Sequence, residues 1–248
     1  NGGFAACHKR FIGKTAVGTF KKQAVWRAMT MYIEQTLIDA FFSGLNMAGI
    51  QYVLIKNIGQ ELPDRLKDGK DIDILVHPDS NPAFAHVMQE MDFQRVPPPL
   101  GVQAGWSFGY KLSEYQFWSK QETAQHFYID AFEKLACKSL SPKMWIPIDT
   151  FVNDSIWRNR VFDEKNQWWC MDEENLAAYL LIRCVFDKHA FKKEYIAEIE
   201  KREALFQKEA VIRKLQTVFF AYTPRLLALV REKRYYEIFF DYLAFDEY

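Results

Sequence analysis

The sequence predicts an α+β fold: a mixed β-sheet with flanking helices, followed by a helical C-terminal region. Three observations predict it. A helical period opens the patterned part of the chain, and several short β-rich runs separated by Gly and Pro follow. An almost unbroken helical pattern then occupies the last third. With 248 residues, 49% apolar and 26% charged, the chain is globular and long enough for one large domain or two small ones.

Residues 1–21 carry no regular pattern and are expected to form a flexible N-terminal segment. Gly13-Lys14-Thr15 lies within it, but a phosphate loop needs another Gly five positions before Gly13. His8 stands there and no buried strand precedes it, so the loop reading is rejected. The chain begins Asn1-Gly2-Gly3 rather than with Met, which suggests a larger parent chain or a partner domain. From about Lys22 to Ala48, Trp26, Met29, Ile33, Leu37, Phe41 and Leu45 recur at spacings of three and four, the stripe of one helix. Gly49 sits where a helix C-terminal glycine belongs. Gln51 to Ile55 is a short β-rich run, and Lys56 to Lys70, with Gly59, Pro63 and Gly69, reads as a loop.

Asp71 to Val76 is a second strand, ended by His77-Pro78. Residues 81–92 suit a helix through Phe84, Val87, Met88 and Met91. Pro97, Pro98, Pro99 and Gly101 mark a turn, with strands expected at 105–111, 114–119 and His126 to Phe132. Trp145 to Ile148 and the stretch near Val161 read as extended or short elements. From Asp172 the pattern is helical to the end, with a break at Thr223-Pro224. Asp172 is a good N-cap, Glu173 and Glu174 favour the helix dipole, and Met171 with Leu176 could form a hydrophobic staple. The boundaries that follow are a sheet-bearing domain at 22–150 and a mainly helical region at 151–248 packed on it.

Lys+Arg and Asp+Glu both number 32. A protein that neutralises a long phosphate backbone carries a basic excess, so balance weighs against bulk nucleic-acid binding and leaves a small nucleotide open. Cys7, Cys137, Cys170 and Cys184 form no C-x-x-C pair, which argues against zinc and suits a reducing, cytoplasmic setting. No apolar run reaches the roughly 18 residues of a transmembrane segment, and no signal peptide is visible.

Side chains alternate across a strand. In Asp71-Ile72-Asp73-Ile74 both carboxylates fall on one face and both isoleucines on the other. In His126-Phe127-Tyr128-Ile129-Asp130 the residues His126, Tyr128 and Asp130 share a face. Neighbouring strands would bring three carboxylates together on one exposed sheet face. Two unit charges ~5 Å apart repel by roughly 3 kcal/mol at an effective dielectric of 20, and a divalent cation reverses that sign. Hard oxygen donors suit Mg²⁺ or Mn²⁺, and two such ions could serve both the entering and the leaving oxygen of a phosphoryl displacement.

The stretch from Val53 to Asn57, the polar loop with Pro63 and Arg65, and Gly69-Lys-Asp-Ile-Asp-Ile-Leu-Val76 together resemble the nucleotidyltransferase superfamily, with its DNA polymerase beta-like fold. Nearest in pattern is a bacterial nucleotidyltransferase-like family carrying Leu-Lys-Gly, then Arg, then Gly-Asp-Ile-Asp-Leu-Leu-Val, often found with polysaccharide biosynthesis genes. The resemblance covers roughly residues 25 to 200, and its specific part is Asp-x-Asp. It implies that 22–150 is a nucleotidyltransferase-like catalytic domain. It also implies that Asp71 and Asp73 hold the metals, that Asp130 is the third carboxylate and helps to activate an acceptor hydroxyl, and that Lys56 and Asn57 face the donor phosphates. The superfamily usually has Gly followed by Gly or Ser in this turn; here Lys56-Asn57 stands, with Asn tolerating left-handed angles better than most residues.

Arg65 is either a solvated loop residue or a bidentate phosphate ligand. Lys70 is either a screening charge beside Asp71 or a phosphate contact. Arg183 is the lone charge within the apolar run 176–185 and needs a partner: Asp187 at i+4, or the donor phosphate, which Lys188 could also reach. His126, with Tyr128 on the Asp130 face, is either a structural histidine or a partner behind the metal ligands. The charge-rich stretch 191–209 reads as a solvated helix face.

The function expected is metal-dependent transfer of a nucleotidyl or phosphoryl group from an activated donor to a small-molecule or glycan hydroxyl, in sugar or polysaccharide metabolism. Two alternatives stand beside it. One is a non-catalytic nucleotide-binding or docking module, suggested by the Lys-Asn departure. The other is a phosphotransferase using a non-nucleotide phosphate donor.

Overall fold

A computed structural model describes residues 31–97, 107–108, 115–122, 125–138 and 144–247 of the chain. The flexible segment expected at 1–21, the first turns of the helix expected from Lys22, and most of the turn and strand expected between 98 and 111 lie outside the described residues.

Among the described residues the first helix is α1 (Gln35–Met47), whose buried residues Ile38, Phe41, Phe42 and Leu45 follow the i, i+3, i+4, i+7 pattern. It ends where expected: Gly49 takes φ 66°, and Ile50 N–H closes onto the Leu45 carbonyl at 3.0 Å. The helix does not extend back through Ile33, as the periodicity had it. Ile33 N–H donates to the Leu66 carbonyl (2.7 Å), Asp68 N–H donates to the Met31 carbonyl (3.0 Å), and Tyr32 bridges to Lys67. The backbone of 31–33 is thus taken up by the loop ahead of the carboxylate strand. Ile33 keeps the period because it is buried in the same core.

Ten strands follow among the described residues, in chain order: β1 (Tyr52–Leu54), β2 (Asp71–Val76), β3 (Gln94–Arg95), β4 (Ser107–Phe108), β5 (Tyr115–Glu122), β6 (Gln125–Phe132), β7 (Ala136–Lys138), β8 (Met144–Pro147), β9 (Val161–Asp163) and β10 (Trp168–Cys170). Seven form one mixed sheet in the order β3-β5-β6-β2-β1-β10-β9, and β4-β8-β7 form a small second one. The segment expected at 105–111 therefore contributes β4 to the second sheet, while β9 and β10 extend the main sheet from beyond residue 150. Helix α2 (Asn81–Glu90) joins α1 on one face of the sheet, over Tyr52, Leu54, Ile72, Ile74, Phe127 and Ile129.

The other face is covered by α3 (Thr150–Asn159), α4 (Glu173–Ile182), a π-helical turn (Arg183–Lys188), α5 (Lys193–Glu200), α6 (Glu209–Phe219), α7 (Thr223–Arg231) and α8 (Tyr235–Ala244). These pack as one core that reaches the sheet at Val53, Ile55 and Leu75. Asp172 caps α4 as expected, its carboxylate accepting from Glu174 N–H (2.9 Å) and Asn175 N–H (3.0 Å). The break expected at Thr223-Pro224 falls a few residues earlier, at Phe220–Tyr222. Pro224 lies in the first turn of α7, where its missing N–H costs nothing.

Candidate active site

Strand alternation sets the site. Ile72 and Ile74 point into the α1/α2 core, so Asp71, Asp73 and Leu75 point the other way, toward the helical layer. The neighbouring β6 runs parallel, with Asp73 opposite Asp130 and Asp71 opposite Tyr128. Leu75 and Phe132, next along the same face, are under the helical core. The carboxylates begin where that cover stops, and one oxygen from each of Asp71, Asp73 and Asp130 lies within 4.8 Å of the others. They line a cavity of about 170 Å³, roofed by Tyr179, Arg183, Asp187 and Lys188, so the face is a cleft rather than the open surface expected.

The carboxylates are linked to one another and to a lysine. Burial pushes the Asp71 carboxyl up, but a hydrogen bond shared with Asp130 and the charge of Lys56 outweigh it and leave it below the ordinary carboxylate range. Lys56 forms an ion pair with Asp73. Its ammonium is held down by burial and by the Arg183 charge, with Asp71 and Asp130 opposing. The donor set fits a small hard cation. Three carboxylate oxygens within 4.8 Å of one another are close enough for one ion with Mg–O bonds of about 2.1 Å after modest side-chain adjustment.

Cationic groups surround the carboxylates. A second cleft, about 690 Å³, shares Asp71, Asp73, Arg183 and Lys188 with the first and is lined by seven basic and four acidic side chains. Lys67 and Lys192 are among the basic ones, and reading the sequence did not single them out. Lys192 falls in the stretch read as a solvated helix face; no periodicity marks a residue just ahead of a helix N-terminus.

The π turn explains how Arg183, Asp187 and Lys188 reach the same space. At about 100° per residue, an α-helix would turn Lys188 about 140° from Arg183. With i→i+5 bonding and roughly 82° per residue, the offset falls to about 50°. Lys188 accordingly lines both clefts.

The remaining expected residues divide. Arg183 lines both clefts and pairs with its i+4 neighbour Asp187 at 3.0 Å, and it donates to Tyr179 Oη (2.8 Å) and Tyr195 Oη (3.2 Å). Asn57 faces into its own loop, its amide oxygen accepting from Leu62 N–H (3.0 Å) and its NH₂ donating to the Leu62 carbonyl (3.1 Å). Its φ is −134°, and the left-handed positions of the turn are Gly59 and Gln60. Arg65 donates to the carbonyls of Gly59 (3.1 Å) and Gln60 (2.7 Å), and Lys70 pairs with Glu61, so both brace the loop at the cleft wall. His126 lies at the far end of β6, with its backbone N–H on Asp68 (2.6 Å). Tyr128 is stacked between Phe117 and His126. Neither lines either of these two clefts.

No protein-family model matches the chain, and no curated protein matches it. Among solved structures, the chain is similar to the following three. The antibiotic-resistance factor ANT(2'')-Ia in solution shares 9% identity over 81% of this chain and 96% of that chain, with a TM-score of 0.45. An antigenic nucleotidyltransferase-like protein from Paracoccidioides brasiliensis shares 10% over 79% and 91%, at 0.41. ANT(2'')-Ia in complex with adenylyl-2''-tobramycin shares 9% over 81% and 98%, at 0.38. At such scores the reading of the site rests on its own geometry.

Proposed function

We propose that this protein is a divalent-cation-dependent transferase that moves a nucleotidyl or phosphoryl-linked group from an activated, nucleotide-type donor to a hydroxyl. One observation carries the reading: three carboxylates from two parallel strands converge to within 4.8 Å beside a cleft lined by seven cationic side chains. A carboxylate cluster asks for a cation, and a basic cleft next to it asks for phosphate.

In this reading Asp71, Asp73 and Asp130 hold Mg²⁺ or Mn²⁺, which when bound supplies charge neutralisation at the transferred phosphorus. Asp130 takes the proton of the acceptor hydroxyl. Lys67, Lys188 and Lys192 bind the donor phosphates, with Arg183 contributing its charge from a fixed position. The smaller cavity, walled by Trp145 and Asp187, suits a sugar or glycan hydroxyl through aromatic stacking and a buried hydrogen-bond acceptor. The catalytic part comprises the main sheet, β9 and β10 included, and the helical region from Asp172 supplies the basic roof. Free Cys137, Cys170 and Cys184 fit a reducing, cytoplasmic setting. No helix among the described residues is long and apolar enough to cross a membrane.

The test is turnover of a panel of α-labelled nucleoside triphosphates with Mg²⁺ or Mn²⁺ and hydroxyl acceptors. The acceptors are free sugars, oligosaccharides and tobramycin, whose adenylylated form is named with one similar structure. Transfer should fall at least a hundredfold in Asp71→Ala and Asp73→Ala. Activity unchanged in those variants removes the proposal.

A second reading, a nucleotide-binding module without turnover, is favoured by one observation: the Asn57 amide is already hydrogen-bonded to Leu62 through both its oxygen and its nitrogen. Calorimetric nucleotide binding in the absence of any product would select it.

A further inference from the structure

We propose that the Lys56 ammonium is a built-in occupant of one of the two cation positions expected at the carboxylate cluster, so that the site takes a single divalent ion. The inference rests on the metal-site reading above and replaces the expectation of two ions.

The root of Lys56 is fixed beside Asp73. β1 pairs antiparallel with β2, Leu54 opposite Ile74, and Ile55 N–H donates to the Asp73 carbonyl at 3.0 Å. The next residue is Lys56, whose side chain reaches across this hydrogen bond to the Asp73 carboxylate. Both side chains are largely covered, at 14% and 12% exposure, so this is not a solvated surface pair. Beyond Lys56, the two Asn57–Leu62 hydrogen bonds clamp the turn. A tethered ammonium with a fixed root competes for Asp73 at a high effective concentration.

The cluster itself is divided. Asp73 is the member held by lysine, while Asp71 and Asp130 offer oxygens within 4.8 Å of it and of each other. The gap between Asp71 and Asp130 is where a cation would enter. One divalent ion in that gap, together with one ammonium, matches the charge of three carboxylates. A second divalent ion at Asp73 would stand against Lys56, with Arg183 and Lys188 close by, and would be repelled by all three.

A separate observation points to a ligand in this cavity. Asp187 lines it with a side chain only 6% exposed, and its Oδ1 has no hydrogen-bond partner, although Oδ2 is paired with Arg183. A buried carboxylate oxygen without a donor is costly in a finished core and is expected where a ligand completes the site.

The test is titration with Mn²⁺ alone, counting bound ions by the loss of the free-ion paramagnetic resonance signal and by calorimetry. Wild type should bind one Mn²⁺ per chain at the cluster, and Asp71→Asn should lose it, which locates the ion. Lys56→Gln should gain a second Mn²⁺ or bind the first at least tenfold tighter. Lys56→Arg, which keeps the charge, should still bind one. Circular dichroism and melting check folding, and Lys56→Met serves as a second neutral variant. Two ions in wild type overturn the single-ion proposal and leave the metal site standing. Equal counts and affinities within threefold in the wild type and in the neutral variants overturn it as well. No Mn²⁺ in wild type, Lys56→Gln or Lys56→Arg overturns the metal-site reading together with the proposal.

Discussion

Arg183 is held by three neighbours, and the order of their importance can be tested. Burial works against its charge, but Tyr179, Asp187 and Tyr195 outweigh that and raise its pKa. Removing one member of a buried pair costs more than the pair is worth, because the partner stays buried and charged. Arg183→Met should therefore cost about 3–5 kcal/mol by urea denaturation. Arg183→Met combined with Asp187→Leu should recover at least ~1 kcal/mol of that loss. A double variant no more stable than the single one would show that the pair itself, rather than its stranded partner, carries the stability. The i+4 partner of Arg183 was legible in the sequence because helical spacing fixes it. Tyr179 and Tyr195 were missed, yet a signal existed: a buried guanidinium has five donors and one carboxylate cannot satisfy them all. The bonding of Asn57 is illegible for a different reason. Nothing local distinguishes an amide that faces a ligand from one that folds back five residues on to clamp its own loop.

At the scale of elements, legibility followed length and period. β2 is found at the expected bounds because a six-residue run with alternating carboxylates and isoleucines has few other readings. β6, at eight residues, shows the same alternation. β10 is three residues, Trp-Trp-Cys, too short for any period, and α3 joins β8 to β9 with an apolar stripe broken by Asn153 and Ser155, both buried. Those buried polar residues serve a purpose that only the tertiary structure reveals: Asn153 accepts from Leu135 N–H (2.8 Å) and donates to the Ile148 carbonyl (2.7 Å), closing the ends of the small sheet. α7 and α8 meet in the helical core and are also joined by an ion pair. Arg225 donates to both oxygens of Asp241, and Tyr222 Oη donates to Oδ2 at 3.0 Å. These bonds, Arg225 first, hold the Asp241 carboxyl below its ordinary value despite partial burial. A lowered folded-state pKa means the contribution is present above the unfolded pKa, about 3.9, and is lost as pH falls through the folded value. Asp241→Asn should thus be less stable than wild type by about 0.5–1 kcal/mol at pH 7. The gap should close as pH drops below about 4. A gap independent of pH from 7 down to 3 would assign it to packing rather than charge.

At the scale of the whole molecule, the net charge of zero conceals a separation of charge. The balance argues against a bulk polyanion, yet seven cationic side chains gather at one cleft, drawn from the loop before β2 and from the π turn and the residues after it. No composition count shows this, because the two segments lie more than a hundred residues apart. A ligand in the cleft would touch both the sheet and the helical layer, so binding should be read out as global stability. A ligand that binds only the folded state at 100 times its Kd adds about 2.7 kcal/mol. For a chain of this size 1 kcal/mol moves the melting temperature by about 2–4 °C, so saturation with Mn²⁺ and a nucleoside triphosphate should raise Tm by roughly 5–10 °C. The two ligands should be synergistic. The cation neutralises the carboxylates that would otherwise repel phosphate, so the joint shift should exceed the sum of the separate ones. Asp71→Asn should lose the synergy but retain part of the nucleotide shift, because Lys67 and Lys192 remain. A metal shift that persists unchanged in Asp71→Asn would move the cation away from the three-carboxylate cluster, and with it the chemistry assigned to this cleft.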